Sequence, residues 1–313
     1  MPEGPEVCRL SEIINEIFSG NILTGIQVLE YKNIISLGNI ELQTKLRNVT
    51  SVGKLIIMNF DYINNQTKQR NDNSFGTAMT ITFNLGRFGE FLDISHLRND
   101  TDKNNDYKST LKINFNYENS IRVIMKFSSF IDLYFIDTIK DSRITVYDSN
   151  SYNVLSDKID SLRPDYLKDS IEDIMNSLQK MRTRRRSIYK ALIDQKGGSG
   201  IGNYLACEIL YRSRISPLRK CNSLNDNEIF SLLETICITM KLAYSRNQTG
   251  YWEKTGMTPG TKNYRPEVKL FDNAIFEFQV YQKEGKDSFG NPIIGDKSIV
   301  NRRTVWWVPK MQL

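Results

Sequence analysis

The alternation of apolar and polar positions divides the chain into successive textures. In residues 5–18 (PEVCRLSEIINEIF), Val7, Leu10, Ile13, Ile14, Ile17 and Phe18 recur at three- and four-residue spacing, which predicts an amphipathic helix stopped by Gly20. From Lys54 to about Tyr147 the texture changes to short runs rich in Ile, Val, Thr, Phe and Tyr. These predict strands at 54–60, 79–85, 110–116, 121–127, 131–137 and 143–147. One early helix followed by many strands predicts a β-sandwich with the helix packed on it. The strand pattern stops at 148–170, where Pro164 and Asp165 predict a linker, and helical spacing resumes over 170–246. Past Gly250, FEFQVY (276–281), a Gly/Asn/Pro-rich stretch and TVWWV (304–308) predict a terminal hairpin of two strands. The expected class is α+β: a β-sandwich domain at 1–150, a linker at 151–168 and a helical domain at 169–313 that ends in the hairpin.

Composition narrows the chemistry. The chain has 313 residues, 40% of them hydrophobic and 25% charged, which suits a folded chain of two domains. No apolar run approaches the ~18 residues of a membrane helix. Glu3, Glu6 and Glu12 interrupt the opening, so no secretory signal and an intracellular location are expected. Cys8, Cys207, Cys221 and Cys237 form no C-x-x-C pair, which predicts reduced thiols. His96 is the only histidine, which excludes Ser-His-Asp and Cys-His nucleophile systems and His-ligated metals. No metal or cofactor is expected. Chemistry must rest on carboxylates, lysines, arginines or the chain terminus.

Charge is uneven. The net charge is +6, yet 181–220 holds ten basic residues against Asp194 and Glu208, a local +8 that leaves −2 for the rest. Such an excess fits a polyanionic partner, most simply nucleic acid, although a solvated basic helix face has the same composition. Inside this segment, Gly197, Gly198, Gly200 and Gly202 separate two helical patterns, and Asn203 opens the second. A glycine loop feeding a helix start can bring backbone N–H groups to a phosphate, and Asn203 can cap the helix or donate to a phosphate oxygen. An ordinary helical hairpin turn is the competing reading. A dinucleotide-binding loop is excluded, because the spacing is not G-x-G-x-x-G and a helix pattern, not a strand, precedes it.

The chain opens Met-Pro-Glu-Gly-Pro-Glu. Removal of methionine before a small residue would expose the Pro2 secondary amine, which can attack an electrophilic carbon and yield an iminium ion directly. Glu3 and Glu6 beside it can divide the roles of proton donor and charge stabiliser, or simply favour the dipole of a helix start.

Together these residues resemble the formamidopyrimidine-DNA glycosylase/endonuclease VIII (Fpg/Nei) family. PEGPEV (2–7) is similar to its opening, GKLIIM (53–58) to its lysine-bearing strand start, GIGNYLACEILYRSRISP (200–217) to its helix–two-turn–helix motif, and NRRTVWW (301–307) to its arginine-bearing finger hairpin. The resemblance implies a bifunctional DNA glycosylase and abasic-site lyase of base excision repair. Such an enzyme removes oxidised bases, pyrimidines favoured, and nicks by β,δ-elimination. It implies Pro2 as Schiff-base nucleophile, Glu3 as proton donor, Glu6 as organiser, and Lys54 and Arg303 as phosphate-gripping groups that assist strand cleavage. Gly202 and Asn203 would hold the DNA backbone, with Arg302 as the alternative to Arg303. Three departures stand out. Residues 276–313 contain no cysteine, which implies the zincless branch, with Trp306 and Trp307 as anchors. Asn84 stands where the family has a phosphate-contacting histidine, and Arg87 where a methionine fills the void of the flipped base. DTIKDSRI (137–144) matches the family's opposite-base segment poorly. The implied partner is damaged DNA, duplex or single-stranded, bound by a monomer without membrane or metal. A catalytically inactive DNA-binding protein of the same fold is the alternative.

Overall fold

A computed structural model describes residues 2–29, 34–35, 40–63, 77–87, 89–93, 118–129, 132–148, 150–246, 276–300 and 303–312. They divide into two compact units. The first comprises Pro2 and the described residues from Val7 to Ser156; the second comprises Glu3–Glu6 and those from Asp157 onward.

The predicted first helix is α1 (Gly4–Phe18). Nine strands follow among the described residues: β1 (Ile22–Val28), β2 (Ile34–Ile35), β3 (Ile40–Val52), β4 (Leu55–Tyr62), β5 (Thr77–Asn84), β6 (Gly89–Asp93), β7 (Ile121–Phe127), β8 (Asp132–Asp137) and β9 (Arg143–Tyr147). All nine are hydrogen-bonded in one sheet of order β2-β9-β5-β4-β3-β1-β7-β8-β6. β5 and β6 lie six places apart, which would separate them by about 29 Å in a flat sheet. Yet the rings of Phe83 (β5) and Phe91 (β6) are 4.9 Å apart, and Phe135 of β8 lies 5.3 Å from Phe83. The sheet therefore curls until its two halves face each other across a core, the sandwich the sequence predicts. Val7, Leu10, Ile13, Ile14 and Phe18 of α1 fill that core beside Leu46, Met58, Phe60 and Met125.

β1 and β3 were not legible as strands. β1 contains Gly25 at a register shift. β3 spends its outward positions on Gln43, Lys45 and Arg47, while Thr44, Leu46 and Val49 point inward, so it lacks the continuous apolar run used to find the others. The predicted strand at 110–116 lies outside the described residues.

The helices are α2 (Tyr152–Ser161), α3 (Ile171–Arg182), α4 (Ile188–Ile193), α5 (Asn203–Arg212) and α6 (Asp226–Arg246). Ser170 caps α3 by accepting the Asp173 N–H at 3.1 Å. Pro164 and Asp165, within the predicted linker, belong to the second unit, where Asp165 is buried and pairs with Ser199. The terminal hairpin exists but with a different first strand. β10 (Ile294–Val300) pairs with β11 (Arg303–Trp307), in register Ile294 to Trp307 and Val300 to Arg303. Residues 276–281, predicted as that strand, are irregular. The cause is a buried carboxylate: Glu208 of α5 accepts the N–H groups of Gln279, Val280 and Tyr281, each at 2.9 Å. N–H groups turned toward one carboxylate cannot serve a ladder.

Candidate active site

The two most specific sequence segments, the opening and the glycine loop, meet in the second unit. Glu3 precedes α1 and is only 1% exposed. Its Oε2 accepts the N–H groups of Gly202 (2.6 Å) and Leu205 (3.3 Å), and its Oε1 accepts that of Tyr204 (3.0 Å). Glu3 thus satisfies three donors at the start of α5. Glu6 Oε2 reaches back to the Glu3 N–H at 3.0 Å, the reciprocal half of a capping box, and its Oε1 accepts the Tyr204 hydroxyl at 2.7 Å. The Gly4 N–H donates to the Gly200 carbonyl at 2.8 Å. A Cβ on Gly4 would stand 2.8 Å from the Gly200 Cα, so the close approach requires glycine there.

The N–H groups of Gly202, Tyr204 and Leu205 are not turned outward: all three are taken by Glu3. Nor does Asn203 cap the helix: Gly202 is the N-cap, and Asn203 is the first helical residue. The Asn203 side chain instead ties the helix to the hairpin. Its Nδ2 donates to the Thr304 carbonyl at 3.1 Å, while its Oδ1 accepts the Tyr189 hydroxyl. Arg303 neighbours Thr304 on β11 and is half-buried. Its charge reaches both Tyr189 and Tyr281; burial pushes both phenols up, and Arg303 opposes that shift. Cys207 completes the cluster. Burial pushes its thiol up to about 12, and its Sγ accepts the Trp306 N–H at 3.3 Å. A thiol held neutral in this way is a packing group, not a nucleophile. Trp306 therefore anchors the hairpin through its backbone, whereas the Trp307 Nε1 is buried with no hydrogen-bond partner among the described residues.

Lys54, Asn84 and Arg87 belong to the first unit and share one end of its sheet. Gly53 (φ +56°) and Lys54 form the turn that joins Val52 to Leu55, and Leu55 pairs with Asn84. Lys54 is half-buried; Asn84 is exposed and accepts the Gly86 N–H at 3.2 Å. Arg87 is exposed but engaged, with its N–H and Nε donating to the two carboxylate oxygens of Asp141 at 3.0 and 2.7 Å. Asp141 itself projects from a loop organised by Asp137, whose carboxylate accepts the N–H groups of Ile139, Lys140 and Ser142. Pro2 is half-buried and also counts with this unit. Arg302 lies outside the described residues.

Sequence reasoning missed the groups that hold these candidates. Tyr189, Tyr281 and Asp287 lie in no motif, and Tyr204 and Glu208, though inside the 200–217 segment, are not among the residues it singles out. Asp287 organises the turn before β10: it accepts the Phe289 and Asn291 N–H groups at 3.0 and 2.7 Å and the Tyr211 hydroxyl at 3.1 Å. Among the described residues no group of three or more His, Cys, Asp or Glu side chains could hold a metal ion, and no helix is long and apolar enough to cross a membrane. The basic segment also proves less free than its composition. Arg182 pairs with Asp226, Arg184 and Arg186 with Asp194, Arg212 with Glu208, and Arg219 with Glu228. Arg185, Lys190, Lys196, Arg214 and Lys220 are exposed.

Residues 162–254 match the family model of the formamidopyrimidine-DNA glycosylase H2TH domain, and 266–313 match that of the formamidopyrimidine-DNA glycosylase C-terminal domain. Endonuclease 8 of Pectobacterium atrosepticum is 23% identical over 322 residues, covering the full length of both chains. Formamidopyrimidine-DNA glycosylase of Prochlorococcus marinus is 28% identical over 165 residues, 52% of each chain. The fold is that of Lactococcus lactis Fpg solved in complex with abasic-site-containing DNA (TM-score 0.72, 19% identity, 99% of each chain). It is equally that of the same protein in complex with oxidised-pyrimidine-containing DNA (TM-score 0.70, 18% identity, 99% of each chain). With helical region and carboxyl-terminal region matched in chain order and a relative aligned end to end, the chain belongs to the formamidopyrimidine-DNA glycosylase/endonuclease VIII family.

Proposed function

We propose that this chain is a bifunctional DNA glycosylase and abasic-site lyase of base excision repair that removes oxidised bases, pyrimidines favoured. Once Met1 is removed, the neutral Pro2 amine attacks C1′ of a damaged nucleotide and the base departs, leaving an iminium ion between enzyme and sugar. The target nucleotide must leave the base stack first, at a cost of a few kcal/mol that backbone contacts offset. Glu3 supplies the proton that opens the sugar, and Glu6 keeps Glu3 in place through its N–H. Lys54, Asn84, Asn203 and Arg303 hold phosphates, and Gly202 keeps the loop close to the strand. Elimination then breaks the 3′ and 5′ C–O bonds in turn, favoured by Lys54 and Arg303. Arg87 stands at the void left by the flipped base, and Arg302 adds charge beside Arg303.

One observation carries the reading: Glu3, one residue after the nucleophile, is gripped by the N–H groups of Gly202, Tyr204 and Leu205. Two segments some two hundred positions apart in sequence serve one another. The test is borohydride trapping on an oligonucleotide with an abasic site, after intact mass has established loss of Met1. A covalent adduct is expected, sharply reduced in Pro2→Gly. Equal trapping by both proteins removes Pro2 from the role; binding without any adduct leaves an inactive DNA-binding protein.

A further inference from the structure

We infer that Tyr189 is a positioning residue that fixes which edge of the Asn203 carboxamide faces the phosphate-binding side; this rests on the proposed DNA-processing function. Three neighbours settle the orientation. The Thr304 carbonyl can only accept, so the atom 3.1 Å from it is the Asn203 Nδ2. Oδ1 must then face the Tyr189 hydroxyl, which donates to it. The Cys207 thiol adds a weaker donor to the same oxygen at 3.8 Å. Tyr189 is fully buried, so its ring cannot swing aside, and burial keeps its hydroxyl protonated.

The consequence is electrostatic. With Oδ1 tied inward to Tyr189 and Cys207, the N–H edge of Asn203 faces Thr304 and Tyr281, the side on which Arg303 lies. A carboxamide turned the other way would offer an oxygen to a phosphate and repel it. At the start of α5 Glu3 takes the N–H groups of Gly202, Tyr204 and Leu205, and the Asn203 carboxamide is bonded to the Thr304 carbonyl and the Tyr281 side chain, so a phosphate reaching its N–H edge meets a donor whose direction is already set. Tyr189 lies fourteen residues before Asn203 on another helix, and no motif links the two.

The test is Tyr189→Phe, which removes one oxygen and leaves the ring. Affinity for a duplex bearing a tetrahydrofuran abasic analogue is measured by fluorescence anisotropy at fixed salt. A loss of about 5- to 10-fold is expected, the size of one neutral hydrogen bond. On an abasic substrate the loss is expected in KM, with kcat nearly constant. In an Asn203→Ala background, Tyr189→Phe is expected to add less than about twofold, because a residue acting through Asn203 has nothing left to act on. Wild-type affinity in Tyr189→Phe, or losses that multiply in the double variant, overturn the positioning role while leaving the proposed function standing. No binding by the wild type overturns both. Should Tyr189→Phe fold poorly, the side-chain amide of Asn203 in the wild type decides by NMR. Slowed hydrogen exchange is expected, and exchange at the rate of an exposed asparagine overturns the inference.

Discussion

Glu3 and Glu208 perform the same electrostatic task at two places in the second unit. Each is almost completely buried, and each collects three backbone N–H groups from a distant segment: Gly202, Tyr204 and Leu205 for Glu3, and Gln279, Val280 and Tyr281 for Glu208. Their surroundings differ. Glu3 follows Pro2 and serves a helix start, whereas Glu208 sits within α5, with the Arg212 Nη2 3.6 Å away, and serves an irregular segment. An N–H-rich stretch that looks from sequence like a waiting anion site is here filled by the chain's own carboxylate. On the proposed function, the side chains of Asn203 and Arg303 and the exposed cations meet the DNA backbone beside those occupied N–H groups.

Separating the two glutamates is the sharpest way to break the comparison. Glu3→Gln keeps the shape and one acceptor oxygen, so its fold should survive. Single-turnover cleavage at saturating abasic DNA is expected to fall by roughly 10²- to 10⁴-fold, the range for a lost proton donor. Glu208→Ala should do the reverse. It strands three buried N–H groups and the Arg212 charge, and a loss of about 3–5 kcal/mol is expected in urea unfolding. Cleavage per folded molecule should change little by comparison. If both variants lose rate and stability in parallel, Glu3 is only another scaffold carboxylate.

Gly4→Ala probes the geometry that lets Glu3 reach α5. The new methyl would meet the Gly200 backbone at 2.8 Å, and neither backbone can yield cheaply. About 1–3 kcal/mol of stability should be lost. Trapping yield should fall with it, because the Glu3 contacts depend on the same approach. Unchanged melting would mean that the opening and the glycine loop are not held together in solution.

The parts of this molecule that repeat locally were legible, and those that depend on distant partners were not. The α1 periodicity, β7 and β9 follow from side-chain alternation within a few residues, and each was found at or near its boundaries. FEFQVY has the composition of a strand, yet a glutamate seventy positions earlier takes its N–H groups. Of the candidate site, Glu3, Glu6 and the 200–203 loop could be named because they form short dense motifs. Tyr189 and Asp287 could not, since Tyr189 acts on a residue of another helix and Asp287 ties its turn to Tyr211, seventy-six positions away. The +8 segment is half spent internally: five of its ten cations pair with carboxylates of the chain, two of which, Asp226 and Glu228, lie beyond residue 220.

Asp287 is the smaller case of the same device and gives the finest test of it. Burial works against its charge, but the Asn291 and Phe289 donors and the Tyr211 hydroxyl outweigh it and hold the carboxyl below its usual range. A carboxyl with a lowered folded-state value contributes stability that is complete above its unfolded value, near ~3.9, and is lost as pH falls through the folded one. Asp287→Asn keeps an acceptor for the two N–H groups but no charge. At neutral pH the variant should be less stable by about 1 kcal/mol, the difference between charged and neutral acceptors. The gap should close as pH is lowered from about 4, because the wild-type side chain is then protonated too. Urea unfolding at a series of pH values measures it. A gap that stays constant or widens on acidification would mean that the turn before β10 is held by shape alone and not by the charge of Asp287.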